Sequence, residues 1–163
     1  MSRHPSPSWI AAAAVVVLLL GGCAASRAPR RLPSDPCSVV TVDQVEAATH
    51  GNVLTSHLLP DTAMMRPSDP NPCEYVTDGL HGAISVNVAH NGVRDFLRIH
   101  GRDPRNTIDV GGIGDAAFIH GLSAIFVRLG NDYFAIGSQT GVGGPGSRDL
   151  ERLAKAALEN IGR

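Results

Sequence analysis

The groups able to do chemistry in this 163-residue chain are three cysteines, seven histidines and fifteen carboxylates, and their spacing limits what they can do. Cys23 closes an apolar run, LLLGGCAAS, whereas Cys37 and Cys73 stand singly in PCS and PCEY. A thiol can be acylated, and two thiols can form a disulfide or, in a CxxC spacing, exchange electrons or hold a metal. No two cysteines here are so spaced. His50, His57, His81, His90, His100 and His120 form no HxxxH, HExxH or HxH pattern. Only His57 with the thioethers of Met64 and Met65 suggests a soft-metal set, and packing of loop methionines is the plainer reading. No GxSxG elbow occurs. Asp103, Asp109 and Asp115 sit in turn-rich sequence, with nothing to bring two of them onto one substrate. Gly111–Ala117, GGIGDAA, mimics a dinucleotide loop, but such a loop opens a helix, and Ala116–His120 reads as a strand. A glycine turn entering a strand is expected there. No catalytic residue, metal site or cofactor follows from these patterns.

The run that ends at Cys23 gives that residue its context. Arg3 is followed by eleven uninterrupted apolar residues, Ile10–Leu20, then by Gly21 and Gly22. Eleven helical residues rise about 16 Å against a hydrocarbon core of roughly 30 Å, which suits a cleavable leader better than a permanent span. Leu20-Gly21-Gly22-Cys23 resembles the bacterial lipobox, which implies diacylglyceryl transfer to Cys23 and cleavage before it, leaving Cys23 palmitoylated or similarly acylated. The alternative is a plain secretory leader cut after Ala24 or Ala25. The organisation expected is a signal peptide at 1–22, a lipidated terminus and tether at 23–36, and an extracytoplasmic domain at 37–163. The tether, AASRAPRRLPSDP, has no period; Arg27, Arg30 and Arg31 in it can favour anionic headgroups or simply be solvated. Outside the cytoplasm, Cys37 and Cys73 are expected to pair, closing a loop of about 36 residues.

Elements that would position these groups follow from periodicity. Thr41 and Gln44 make a capping box for a helix running to His50, with Gly51 as its left-handed stop. A second helix starts near Asn91 and stops at Gly101, and a third is capped by Ser147, with an apolar stripe of Leu150, Leu153, Ala154, Ala157, Leu158 and Ile161. Ile84, Val86 and Val88 alternate with polar residues as a strand, and LSAIFVRL and YFAIGSQ flank a Gly130-Asn131-Asp132 hairpin. Asn52–Leu59, Tyr75–Thr77 and Ala116–His120 are further strands, and Pro60–Pro72 is an irregular loop. Few crossover helices separate the strands, so the class is α+β: a single domain with an antiparallel sheet, helices packed on one face and one disulfide. A formal charge of -1 and only seven aromatic residues give no field or stacking platform for nucleic acid.

Pro36-Cys37-Ser38, Cys73-Glu74-Tyr75, Gly112-Ile113-Gly114-Asp115-Ala116-Ala117 and a Leu-rich last helix occur in that order. In this the chain resembles the actinobacterial, mycobacterial-type lipoproteins that carry domain of unknown function 3558, over about residues 35–160. The resemblance implies a disulfide and a cell-envelope location, and brings no established catalytic residues. The expectation is a non-enzymatic binding or accessory module on the outer face of the cell membrane. It would be anchored in membrane lipid through Cys23, meeting an envelope protein, glycan or lipid and no nucleic acid. A sensor or carrier for a small apolar ligand is the alternative, and an envelope enzyme a third.

Overall fold

The structure, a computed structural model, describes residues 31–59, 71–78, 82–138 and 146–162. The expected leader, Cys23, the Met64–Met65 pair and His81 lie outside those residues.

Three helices form where the pattern places them, with ends shifted by local chemistry. In α1 (Val42–Thr49) the Thr41 hydroxyl accepts from the Gln44 amide at 3.3 Å while the Gln44 side chain accepts from the Thr41 amide at 2.9 Å. The left-handed stop falls on His50 (φ 54°), one residue before the expected Gly51. The second helix, α2 (Val93–Arg102), runs through Gly101, which was expected to stop it. Glycine in a last turn costs at most about 1 kcal/mol, whereas Pro104 bars helical geometry at Asp103 and ends the helix there. In α3 (Ser147–Ile161) the N-cap is Gly146, and Ser147 is already the first helical residue.

Among the described residues seven strands make one sheet: β1 (Val53–Leu58), β2 (Cys73–Thr77), β3 (Ala83–Ala89), β4 (Thr107–Val110), β5 (Ala116–His120), β6 (Ala124–Leu129) and β7 (Asp132–Ser138). Their order is β1-β2-β3-β7-β6-β5-β4, antiparallel at every pairing. Each half is a meander, and the β3–β7 ladder, Ile84 opposite Ser138 through Ala89 opposite Tyr133, welds the two. The α+β class, the antiparallel sheet and the disulfide are therefore all present. Strand β4 had no counterpart in the expected elements.

Side-chain alternation gives the sheet two unlike faces. Tyr75, Ile84, Val86, Val88, Ile119, Ile125, Val127, Phe134 and Ile136 point to one side, where α1 and α3 lie over them. This is the face on which all the helices were expected, and Leu150, Leu153, Ala154 and Ala157 close it at 0–1% exposure. The reverse side bears Phe118, Phe126 and Tyr133, and α2 lies across these with Phe96 inserted among them. Two helices thus share the face anticipated, and the third covers part of the other because β5 and β6 are apolar at both parities. Packing begins early: Leu32 is already in the core, inside the segment expected as tether.

Candidate functional site

The cysteine pair is the sequence-derived site that the structure brings together. Asp35 caps a short 3-10 turn, Pro36–Ser38, by accepting the Cys37 amide at 2.9 Å. The turn lies over the first strands, where Cys37 bonds to Cys73 at the start of β2, with S–S 2.08 Å and Cα–Cα 5.0 Å. Two residues on, the buried Tyr75 hydroxyl sits 2.9 Å from the Cys37 carbonyl and 2.8 Å from the Val40 carbonyl, donating between them. Burial pushes the Tyr75 phenol up to about 12, and the negative charge of Asp35 adds to the shift. An ionised phenolate could not donate, so the neutral form is the one that fits two carbonyls. Covalent and hydrogen-bonded staples therefore fix the same turn, and this is what the aromatic beside the second cysteine does.

The Gly-rich motif is also accounted for by structure. Ile113 is buried at 1% exposure, and Gly114 (φ +60°) brings the chain so close to β6 that a Cβ would stand 2.6 Å from the Arg128 carbonyl. Asp115 donates its amide to that same carbonyl, and its carboxylate accepts the Gly130 amide of the β6–β7 hairpin. The turn clips two hairpins together and leads into β5, with no helix after it. The three carboxylates do not converge: Asp115 holds Gly130, Asp103 accepts from Asn106 Nδ2 at 2.6 Å, and Asp109 meets His100.

Polar groups with chemical capacity gather on the reverse face. Over β4–β7, His100 Nε2 lies 2.8 Å from Asp109 Oδ1 while its ring meets the edge of Phe118 at 5.0 Å. His120 Nδ1 stands 3.3 Å from the Thr107 hydroxyl on the same edge. Over β1–β3, His57, Glu74 and Ser85 lie abreast on three adjacent strands, with His57 Nε2 3.8 Å from Glu74 Oε2. A hydrolytic relay needs the imidazole between carboxylate and hydroxyl. Here the carboxylate stands in the middle, and the Ser85 hydroxyl points to the Gly137 carbonyl at 3.5 Å. His90 pairs with Asp132 at 3.3 Å beside the hairpin, and His50 is the helix stop. The described histidines therefore occupy separate places, and among the described residues no three His, Cys, Asp or Glu side chains gather closely enough to hold a metal.

What the sequence reasoning missed is the role of α2. Its inner side inserts Phe96 into a cluster in which Phe96–Phe118 and Phe118–Phe126 centroids are each 4.9 Å apart. Its outer side carries Arg94, Arg98 and Arg102, with Leu97 among them exposed at 61%. The signal was available: AFI in β5 and IFV in β6 are apolar on both sides, which calls for a layer on each face.

No helix among the described residues is long and apolar enough to cross a membrane. No protein-family model matches the chain, and no curated protein matches its sequence. Among solved structures it is similar to the crystal structure of a GTP-binding regulator from Thermotoga maritima, at 11% identity over 77% of this chain and 93% of that one, with a TM-score of 0.39. A likeness that slight bears on neither activity nor ligand.

Proposed function

We propose that this chain is a cell-envelope lipoprotein, held on the outer face of the cell membrane by acylated Cys23, whose domain serves as a non-catalytic binding or accessory module. The observation that carries the reading is Leu20-Gly21-Gly22-Cys23 placed directly after an eleven-residue apolar run. The Cys37–Cys73 bridge supports it, because such bonds persist in oxidising compartments and are rare in the cytosol. The ordered motifs that resemble the domain-of-unknown-function 3558 lipoproteins point the same way. The accessory role is supported by the dispersal of the histidine–carboxylate pairs, each of which links two neighbouring elements of the fold. A carrier for an apolar ligand would need open space between helices and sheet, and that layer is filled by Val86, Ile125, Ile136 and Leu150, all at 0% exposure.

The experiment is phase partition of the expressed full chain with detergent, followed by mass spectrometry of its amino terminus. Wild type is expected in the detergent phase with a diacylglyceryl group on Cys23, and Cys23→Ser is expected to remain unprocessed. An unmodified thiol on wild type, or a mature chain beginning after Ala24 or Ala25, would refute the anchor.

A further inference from the structure

We propose that the outward side of α2 is a docking surface for an anionic lipid bilayer, the side on which the tethered domain rests; this builds on the anchoring reading above. Arg94, Arg98 and Arg102 recur every fourth residue and so line one side of the helix, and all three are exposed. Leu97 stands among them at 61% exposure. The opposite side is fixed in place, since Phe96 is 3% exposed and packed edge-on against Phe118, so the stripe cannot turn inward.

Charge supports an anionic partner. Residues 93–109 hold four arginines (Arg94, Arg98, Arg102, Arg105) against Asp95, Asp103 and Asp109, a local balance of +1 in a chain whose total is -1. The nearby acids are engaged: Asp95 pairs with Arg98 at 2.9 Å, Asp103 accepts from Asn106, and Asp109 pairs with His100. A stripe of arginines flanked by an exposed leucine is the chemistry of an interfacial helix, cations at the headgroups and the apolar side chain just below them. A nucleic acid or free phosphate would give Leu97 nothing to enter. Gly92, Phe96 and His100 each meet a ring of the sheet, so the ten-residue helix is held along it from its first turn to its last and presents its outer side lengthwise.

Reach is compatible. Nine residue steps separate Cys23 from Leu32, which is packed on the opposite side of the sheet, and span at most about 30 Å. The level of the outer side of α2 lies a sheet and a helix away, at least about 20 Å at roughly 10 Å a layer, and a tether reaches it round the edge of the sheet.

The test uses the full chain, expressed, acylated and reconstituted in vesicles. Its one tryptophan, Trp9, lies in the leader, so Leu97→Trp puts the only indole of the processed chain on α2. With brominated phosphatidylglycerol vesicles the indole is expected to be quenched. Brominated phosphatidylcholine vesicles should leave it bright, and so should a Ser56→Trp control on the exposed edge strand in either lipid. Adding Arg94→Glu, Arg98→Glu and Arg102→Glu should lower the docked-to-free ratio by at least about 100-fold, and salt should weaken docking too. A chain that floats with both vesicles but quenches in neither, or equally in both, overturns the docking surface and leaves the anchor standing. A chain that floats with neither sinks anchor and surface together. An indole screened by a soluble anionic polysaccharide and untouched by anionic vesicles would also overturn the lipid assignment.

Discussion

Replacing both Cys37 and Cys73 with alanine removes the cross-link and little else from the native packing, since only Cys73 is fully buried and its sulfur is small. The bridge spans 36 positions. Chain-entropy bookkeeping for a loop of that size gives about 13 cal/mol/K, or about 4 kcal/mol at 25 °C. Against a typical domain stability of about 5–15 kcal/mol, that is a large share. The expected melting shift is a fall of about 10–20 °C. The assay is equilibrium urea unfolding of the oxidised wild type and the double variant. Two quantities matter: the free energy extrapolated to water, and its slope against denaturant. Freed of the cross-link, the unfolded chain expands and exposes more surface, so the slope must rise as stability falls. A cavity left by the missing sulfurs would lower stability without moving the slope. A loss under about 1 kcal/mol, or an unchanged slope, would show that the bridge does not act by restraining the unfolded chain.

The hydroxyl that shares this turn gives further expectations. Tyr75→Phe leaves the Cys37 and Val40 carbonyls without their donor, and should cost about 1–3 kcal/mol by urea unfolding. Alkali should act on the same group: with the folded phenol at about 12 and the free one at 10.0, the folded state keeps its proton longer. Stability is therefore full below pH 10 and falls as pH rises towards 12, by on the order of 1–2 kcal/mol after allowance for water near the turn. A pH jump on Tyr133→Phe, followed by tyrosinate absorbance, checks this; ionisation at the free value would contradict it. Gly114→Ala should be the harsher of two glycine changes. Both positions have positive φ, but a Cβ at Gly114 meets the Arg128 carbonyl at 2.6 Å while one at Gly112 meets nothing within 4 Å. A loss of about 1 kcal/mol is expected at Gly112 and several times that at Gly114, read from thermal melts.

Local chemistry carried much of this fold into the sequence. The Thr41–Gln44 capping box, the Gly130-Asn131 hairpin and the alternation in β3 are short-range signals, each satisfied by atoms a few residues away, and each element formed where expected. The helix ends shifted because a neighbouring residue overrode the expected stop or cap. Gly101 lies inside α2 since it is Pro104 that forbids continuation, and Gly146 displaces Ser147 as cap. Strand β4 was unreadable for another reason. Four residues, TIDV, with Ile108 exposed at 53%, show no burial pattern of their own, and the strand exists through its ladder with β5. Of the site, the cysteine pair was legible from compartment and count. The Tyr75 staple was not, because its acceptors lie 35 and 38 residues away.

The reverse face shows why α2 is the part of this domain freest to serve a partner. Strands β5, β6 and β7 are covered on both sides, so Phe118 reaches 1% exposure and Phe134 0%, and any change between them disturbs packing. Across β1–β3 the same face carries Thr55, His57, Glu74, Ser85 and Asn87, a polar surface that asks for no helix. The outer side of α2 belongs to neither regime. Its fold energy comes from Phe96 beneath, while Arg94, Leu97 and Arg102 add nothing to the packed layers. Charge reversal there is expected to stay within about 0.5 kcal/mol of wild type. A thermal melt of Arg94→Glu/Arg102→Glu that falls as far as one of Phe96→Ala, for which about 3–5 kcal/mol is expected, would show that these arginines serve the fold, and the case for an external partner at that side would be lost.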